Sequence, residues 1–122
     1  MEFHPFENDS QAPYAQLSLR FAQALSQGEY ETACKMLTPA LRAAYSPDAL
    51  AQAYSEMCGA ESAAPTILEV VTTLTEWPER QDEDVGWAYV AIAGHMYSEA
   101  VTCIVVGSSG KYQIRSIEWG RP

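Results

Sequence analysis

Apolar side chains recur at helical spacing through residues 13–57, after which the chain changes character. Residues 66–119 are runs rich in Val, Ile, Thr, Trp and Tyr. The switch falls at Gly59–Pro65, a stretch dominated by small residues. A chain that uses its helices first and its strands afterwards does not interleave them as βαβ units. The expected fold class is therefore α+β, a layer of N-terminal helices packed on one antiparallel sheet. At 122 residues there is room for one such core. Residues 1–12, with Glu2, Glu7 and Asp9, read as an N-terminal arm, and residues 13–122 as a single domain.

The helical half is punctuated clearly. Pro13 suits the first turn of a helix, where its missing N–H goes unused. Tyr14, Leu17, Phe21, Ala24 and Leu25 then form one apolar stripe, and Gly28 supplies a left-handed stop. A second helix starts at Glu29 with Tyr30, Ala33, Cys34 and Leu37 on its stripe. Thr38-Pro39 and Ser46-Pro47 each pair a capping hydroxyl with a helix-opening proline. The helix after Pro47 carries Leu50, Ala53, Tyr54 and Met57, which read as core.

Four strands are expected, at Thr66–Trp77, Val85–Met96, Glu99–Val106 and Tyr112–Trp119. Gly107-Ser108-Ser109-Gly110 reads as a hairpin loop and Tyr97-Ser98 as a tighter one. In the second strand Ala88, Val90, Ile92 and Met96 share one face, and Trp87, Tyr89, Ala91, Ala93 and His95 the other. The third strand sets Ala100, Ile104 and Val106 against Val101, Cys103 and Val105. A sheet with one wet face alternates apolar with polar, whereas both faces here are largely apolar. The face away from the helices is expected to be covered, most economically by a second copy in a homodimer.

Charge removes some functions. Sixteen acids against seven bases give a net charge of −9. With no basic patch to meet phosphates, nucleic-acid binding is excluded, while a basic protein partner suits such a surface. The apolar runs are too short to span a bilayer, and Met1–Glu7 lacks the basic start and apolar core of a signal peptide. The expected location is the cytoplasm. Cys34, Cys58 and Cys103 are widely separated and His4 and His95 isolated, so the pattern assigns no metal and no cofactor. Cys34 and Cys103 read as small core residues, and Cys58, beside Gly59, as the more reachable thiol.

Taken together, the first helix, Gly28-Glu29-Tyr30-Glu31-Thr32-Ala33, Met36-Leu37-Thr38-Pro39 and the closing strand Ile117-Glu118-Trp119-Gly120 resemble the nuclear-transport-factor-2-like superfamily. The similarity covers residues 13–119 and is one of order and spacing. It implies a strongly bent sheet of four or more strands wrapping the helices, with a pocket between. It implies no single activity, since that cystatin-like cone hosts isomerases, dehydratases, cyclases, ligand binders and immunity proteins of toxin systems.

Two constellations remain as candidate sites. The acidic segment Glu76–Asp84 holds five acids and one base and is bracketed by Trp77 and Trp87. Trp77, Glu79, Asp82, Glu83, Asp84 and Trp87 are expected to contact a basic protein partner, acids steering and a tryptophan anchoring. Within the superfamily that the chain resembles, its small size, single domain and acidity fit the immunity-protein branch, so the expectation is a non-catalytic, immunity-type or accessory protein that occludes its partner. The alternative is a small-molecule enzyme or ligand carrier in which Glu69, Tyr89 and His95 supply the polar groups of the cone. A Trp87–Tyr89–His95 wall would hold a flat apolar ligand, and a carboxylate buried beside it could act as a base.

Overall fold

The computed structural model describes residues 9–59, 63–108 and 110–120. Four helices precede four strands in chain order. Helix α1 (Pro13–Ser26) starts on its proline and buries Tyr14, Leu17, Phe21 and Leu25. Its end is a Schellman turn: Gly28, at φ 74°, donates to the Leu25 carbonyl (3.2 Å) and Glu29 to that of Ala24 (2.8 Å). Helix α2 (Tyr30–Cys34) follows at once. In α3 (Pro39–Ala44) and α4 (Pro47–Cys58) the expected caps form, Thr38 Oγ1 accepting from Leu41 N–H and Ser46 Oγ from Ala49 N–H.

The sheet is antiparallel, ordered β1 (Ile67–Leu74), β2 (Asp84–Ala93), β3 (Ser98–Ser108), β4 (Lys111–Trp119), and is not closed. Val70 opposes Val90, which opposes Val101, which in turn opposes Trp119; one register step away Thr73, Ala88, Cys103 and Ile117 align. This face meets the helices, so Ala88, Val90, Val101, Cys103 and Val105 join Phe21, Leu25, Leu37 and Leu50 in one core. The aromatic ring of Tyr14 occupies the space where a side chain on residue 86 would begin, which requires Gly86. Beyond the helices' own contacts, Thr38 N–H bonds the Ile114 carbonyl and Ile114 N–H that of Met36, tying the α2–α3 connection to β4.

Three bulges give the sheet its curvature. Val71 in β1, Val85 in β2 and Arg115 in β4 are each an extra residue between paired neighbours. A bulge bends its strand and redirects a side chain, and the last two of these shape the site described below. No helix among the described residues is long and apolar enough to cross a membrane.

Several expectations need correcting. Strand β2 ends at Ala93 rather than Met96. Gly94 opens the turn, its N–H donating to the Tyr97 carbonyl (2.9 Å). The Tyr97 ring packs where a Cβ on residue 94 would lie, and Tyr97 anchors the turn by donating its hydroxyl to the Ala63 carbonyl (2.7 Å). His95 and Met96 therefore sit at an exposed hairpin tip, Met96 with 86% of its surface accessible. Cys58 is buried, like the other two thiols, and not the reachable one. Of the N-terminal arm, residues 1–8 lie outside the described residues; within 9–12, Asp9 N–H donates to Thr73 Oγ1 (2.8 Å).

Candidate functional site

The face of the sheet turned away from the helices carries Leu74, Trp87 and Ile104 in one cross-strand row and Thr72, Tyr89 and Thr102 in the next. The Trp87 and Tyr89 rings stack at 6.3 Å with planes 12° apart, and both side chains are half-buried. Ala91 and Ala100 face each other beside them and form a small-residue floor. At the β1 edge Ile67 and Val71 stand well exposed.

The acidic segment crosses one end of this face and is held there by an internal ion pair. Asp84, the first residue of β2, has a fully buried carboxylate. Arg115 grips it with two parallel bonds, Nε to Oδ1 at 2.6 Å and Nη2 to Oδ2 at 2.7 Å. Gln81 N–H donates to Oδ2 (2.8 Å), and Arg80 Nη2 donates to the Asp84 main-chain carbonyl (2.8 Å). The two partners reach each other across β3 because each lies at a bulge: Val85 is the extra residue after Asp84, and Arg115 is itself the extra residue of β4. The Arg115 bonds hold the Asp84 carboxyl below its usual range against an opposing desolvation effect, and the same bonds push Arg115 up.

Asp84 is therefore a strut of the loop and not one of its exposed acids, a correction with a clear physical cause. Glu76, Glu79, Asp82 and Glu83 are exposed. Trp77 and Trp87 are half-buried, and the indole N–H of Trp77 is buried without a hydrogen-bond partner among the described residues. Between the loop and the outer surface of β3 and β4 lies a cleft of about 400 Å³ lined by Glu79, Gln81, Thr102, Ile104, Arg115 and Glu118.

The residues of the cone alternative do not converge. Glu69 is exposed on β1 opposite Ala91, Tyr89 lies on the outer face, and His95 is at the hairpin tip. None faces the helices, so no Trp–Tyr–His wall forms. The carboxylate that does share the helix-facing register is Glu99, opposite Ile92. It lines a second cleft, of about 500 Å³, with Tyr45, Glu56, Met57 and Trp119. There Trp119 Nε1–H donates to the Tyr45 hydroxyl (3.0 Å) and the two rings meet at 6.0 Å. Arg115 and Glu99 are the two residues that sequence reasoning missed. Period-2 alternation does locate Glu99 on the Val101 face, whereas Arg115 depends on a bulge that alternation does not reveal.

The thiols offer little chemistry. Burial raises Cys34 and Cys58 above the ordinary thiol value and pushes Cys103 up to about 12, so all three stay protonated at neutral pH. Comparison with family models, with curated proteins and with solved structures produced no match.

Proposed function

We propose that this chain is a non-catalytic binding domain of the nuclear-transport-factor-2-like kind, an immunity-type or accessory protein that occludes a basic protein partner. The observation that carries this reading is the acidic loop fixed by the buried Asp84–Arg115 pair beside the half-exposed Trp87–Tyr89 stack. A loop held in place loses little freedom on binding, and its exposed acids steer a cation toward an aromatic anchor. Net charge of −9 supplies the long-range attraction.

The test is capture of a partner from the native host, followed by association kinetics with the purified pair. Reversing Asp82 and Glu83 to Lys slows association and flattens its salt dependence. Replacing Trp87 or Trp77 with Ala speeds dissociation, by about 2 kcal/mol for an anchoring residue. An unchanged association rate for the charge-reversed chain at low salt defeats the reading.

A second reading has one observation of its own, the Glu99 cleft with its hydrogen-bonded Tyr45–Trp119 pair. It keeps a small-molecule ligand as the alternative and moves it from Glu69, Tyr89 and His95 to Glu99. Saturable binding of a small molecule that is lost in Glu99→Gln, with protein association unaffected, would favour it.

A further inference from the structure

We infer that the outer face of the sheet is itself the docking surface and that the cleft between Glu79 and Glu118 seats an arginine or lysine side chain of the basic partner. This rests on the reading of the chain as an acidic binding domain and names the contact that such a partner makes.

The face has two unlike halves. One is apolar, with the half-buried Leu74, Trp87, Tyr89 and Ile104 beside the Ala91–Ala100 pair. A half-exposed apolar surface of this kind suits a protein contact. The other half is the cleft, where Thr102, Ile104 and Ser116 form the base. Glu118 stands on β4 opposite Thr102, and Glu79 reaches in from the acidic loop.

Charge decides the occupant. The charged residues lining the cleft are Glu79, Glu118 and Arg115. The neighbouring Arg80 is engaged in the loop, where it bonds the Asp84 main-chain carbonyl and pairs with Glu76. Arg115 is balanced one-to-one by Asp84, its Nε and Nη2 both committed to that carboxylate. Among the described residues neither the Glu79 nor the Glu118 carboxylate has a hydrogen-bond partner, although Glu79 is close enough to Arg115 to be felt by it. Two negative charges are therefore left facing the cleft, with Glu69 also on this face and Asp82 and Glu83 in the adjoining loop. A second copy of the chain would bring the same acids against them, so the charge favours a basic partner over the homodimer expected from apolar patterning. A cleft of about 400 Å³ has room for a long basic side chain, whose stem would lie along Ile104 while its head meets the carboxylates.

The experiment uses the isotope-labelled full chain and N-acetylargininamide as the probe, with N-acetylcitrullinamide as its neutral isostere. Expected are saturable, salt-sensitive shifts of the Thr102, Ile104, Ser116 and Glu118 amides with the arginine compound, and none with the citrulline compound. The Glu79→Gln/Glu118→Gln double variant should weaken these shifts at least about fivefold while leaving the Phe21 and Val90 resonances in place. Equal response to both compounds, or arginine-induced shifts confined to the loop, overturns the cleft. Sedimentation at the same concentration completes the test: a dimer broken by Trp87→Asp makes a second copy the occupant and overturns the proposal. Failure of the cleft is distinguishable from failure of the binding-domain reading, because the latter is judged by the association rate of the Asp82→Lys/Glu83→Lys chain.

Discussion

The two faces of the sheet are built from similar strands and do opposite things. On the helix side Val90, Val101, Cys103 and Val105 vanish under α1, and each is fully buried. On the other side Trp87, Tyr89, Ile104 and Leu74 are only half-covered, and mostly by one another. The inner face shows what apolar residues do when a helix is available to cover them. Among the described residues the outer face has similarly apolar strands with no helix over them, and its margin is acidic. The difference teaches that apolar patterning alone marks a surface to be covered; on the proposed reading the charge around it says by what.

The sharpest contrast is in stability. Phe21 is fully buried beneath the sheet, so Phe21→Ala should cost about 3–5 kcal/mol in chemical denaturation. A loss below about 1 kcal/mol would place the α1 stripe in water and erase the distinction between the faces. Next in size is the strut of the outer loop. Asp84→Asn leaves Arg115 half-buried with its countercharge gone and should cost about 3 kcal/mol. The double variant Asp84→Asn/Arg115→Met should recover part of that loss, and an Asp84→Asn change within about 0.5 kcal/mol of the parent would show that the loop is not pinned by this pair.

The same pair sets an acid limit. Because the folded carboxyl titrates below its ordinary value, the folded state binds this proton less readily than the unfolded chain. Its contribution is complete above the ordinary carboxylate value, fades as pH falls through and below about 3.8, and is gone under the lowered folded value. Denaturation midpoints should therefore drop on the acid side, and Asp84→Asn should flatten that drop. If parent and variant lose stability in parallel, other carboxylates account for it. The smallest stability effect is expected at the stacked outer ring, where Trp87→Ala should cost about 2 kcal/mol, from the half-buried ring area and its stacking together. A cost near that of Phe21→Ala would mean that the outer face is core after all.

Much of the fold was legible because it follows from strong local rules. Proline after a hydroxyl announced α3 and α4, Gly28 announced the end of α1, and period-2 alternation sorted β2 and β3 into their true faces as far as Ala93 and Val106. The errors came where a single residue breaks the period. Strand β2 ends at Ala93 and the turn closed by Gly94 and Tyr97 follows, which puts His95 and Met96 at an exposed tip and not on strand faces. Bulges at Val85 and Arg115 brought an acid and a base together from 31 positions apart. No local pattern encodes that pairing, so Asp84 was grouped with the exposed acids around it. The site was thus legible as an acidic loop near tryptophans, and illegible in the one contact that gives the loop its position.

The most direct measurement sets charge reversal on the two sides of the molecule against each other. Asp82→Lys/Glu83→Lys alters the outer loop, while Glu29→Lys/Glu31→Lys makes the same change in net charge among the exposed acids at α2. Association rates with the captured partner at low salt should fall about tenfold or more for the loop variant and change little for the α2 variant. Equal slowing by both would show that only net charge matters, and no slowing by the loop variant would contradict the assignment of binding to the outer face.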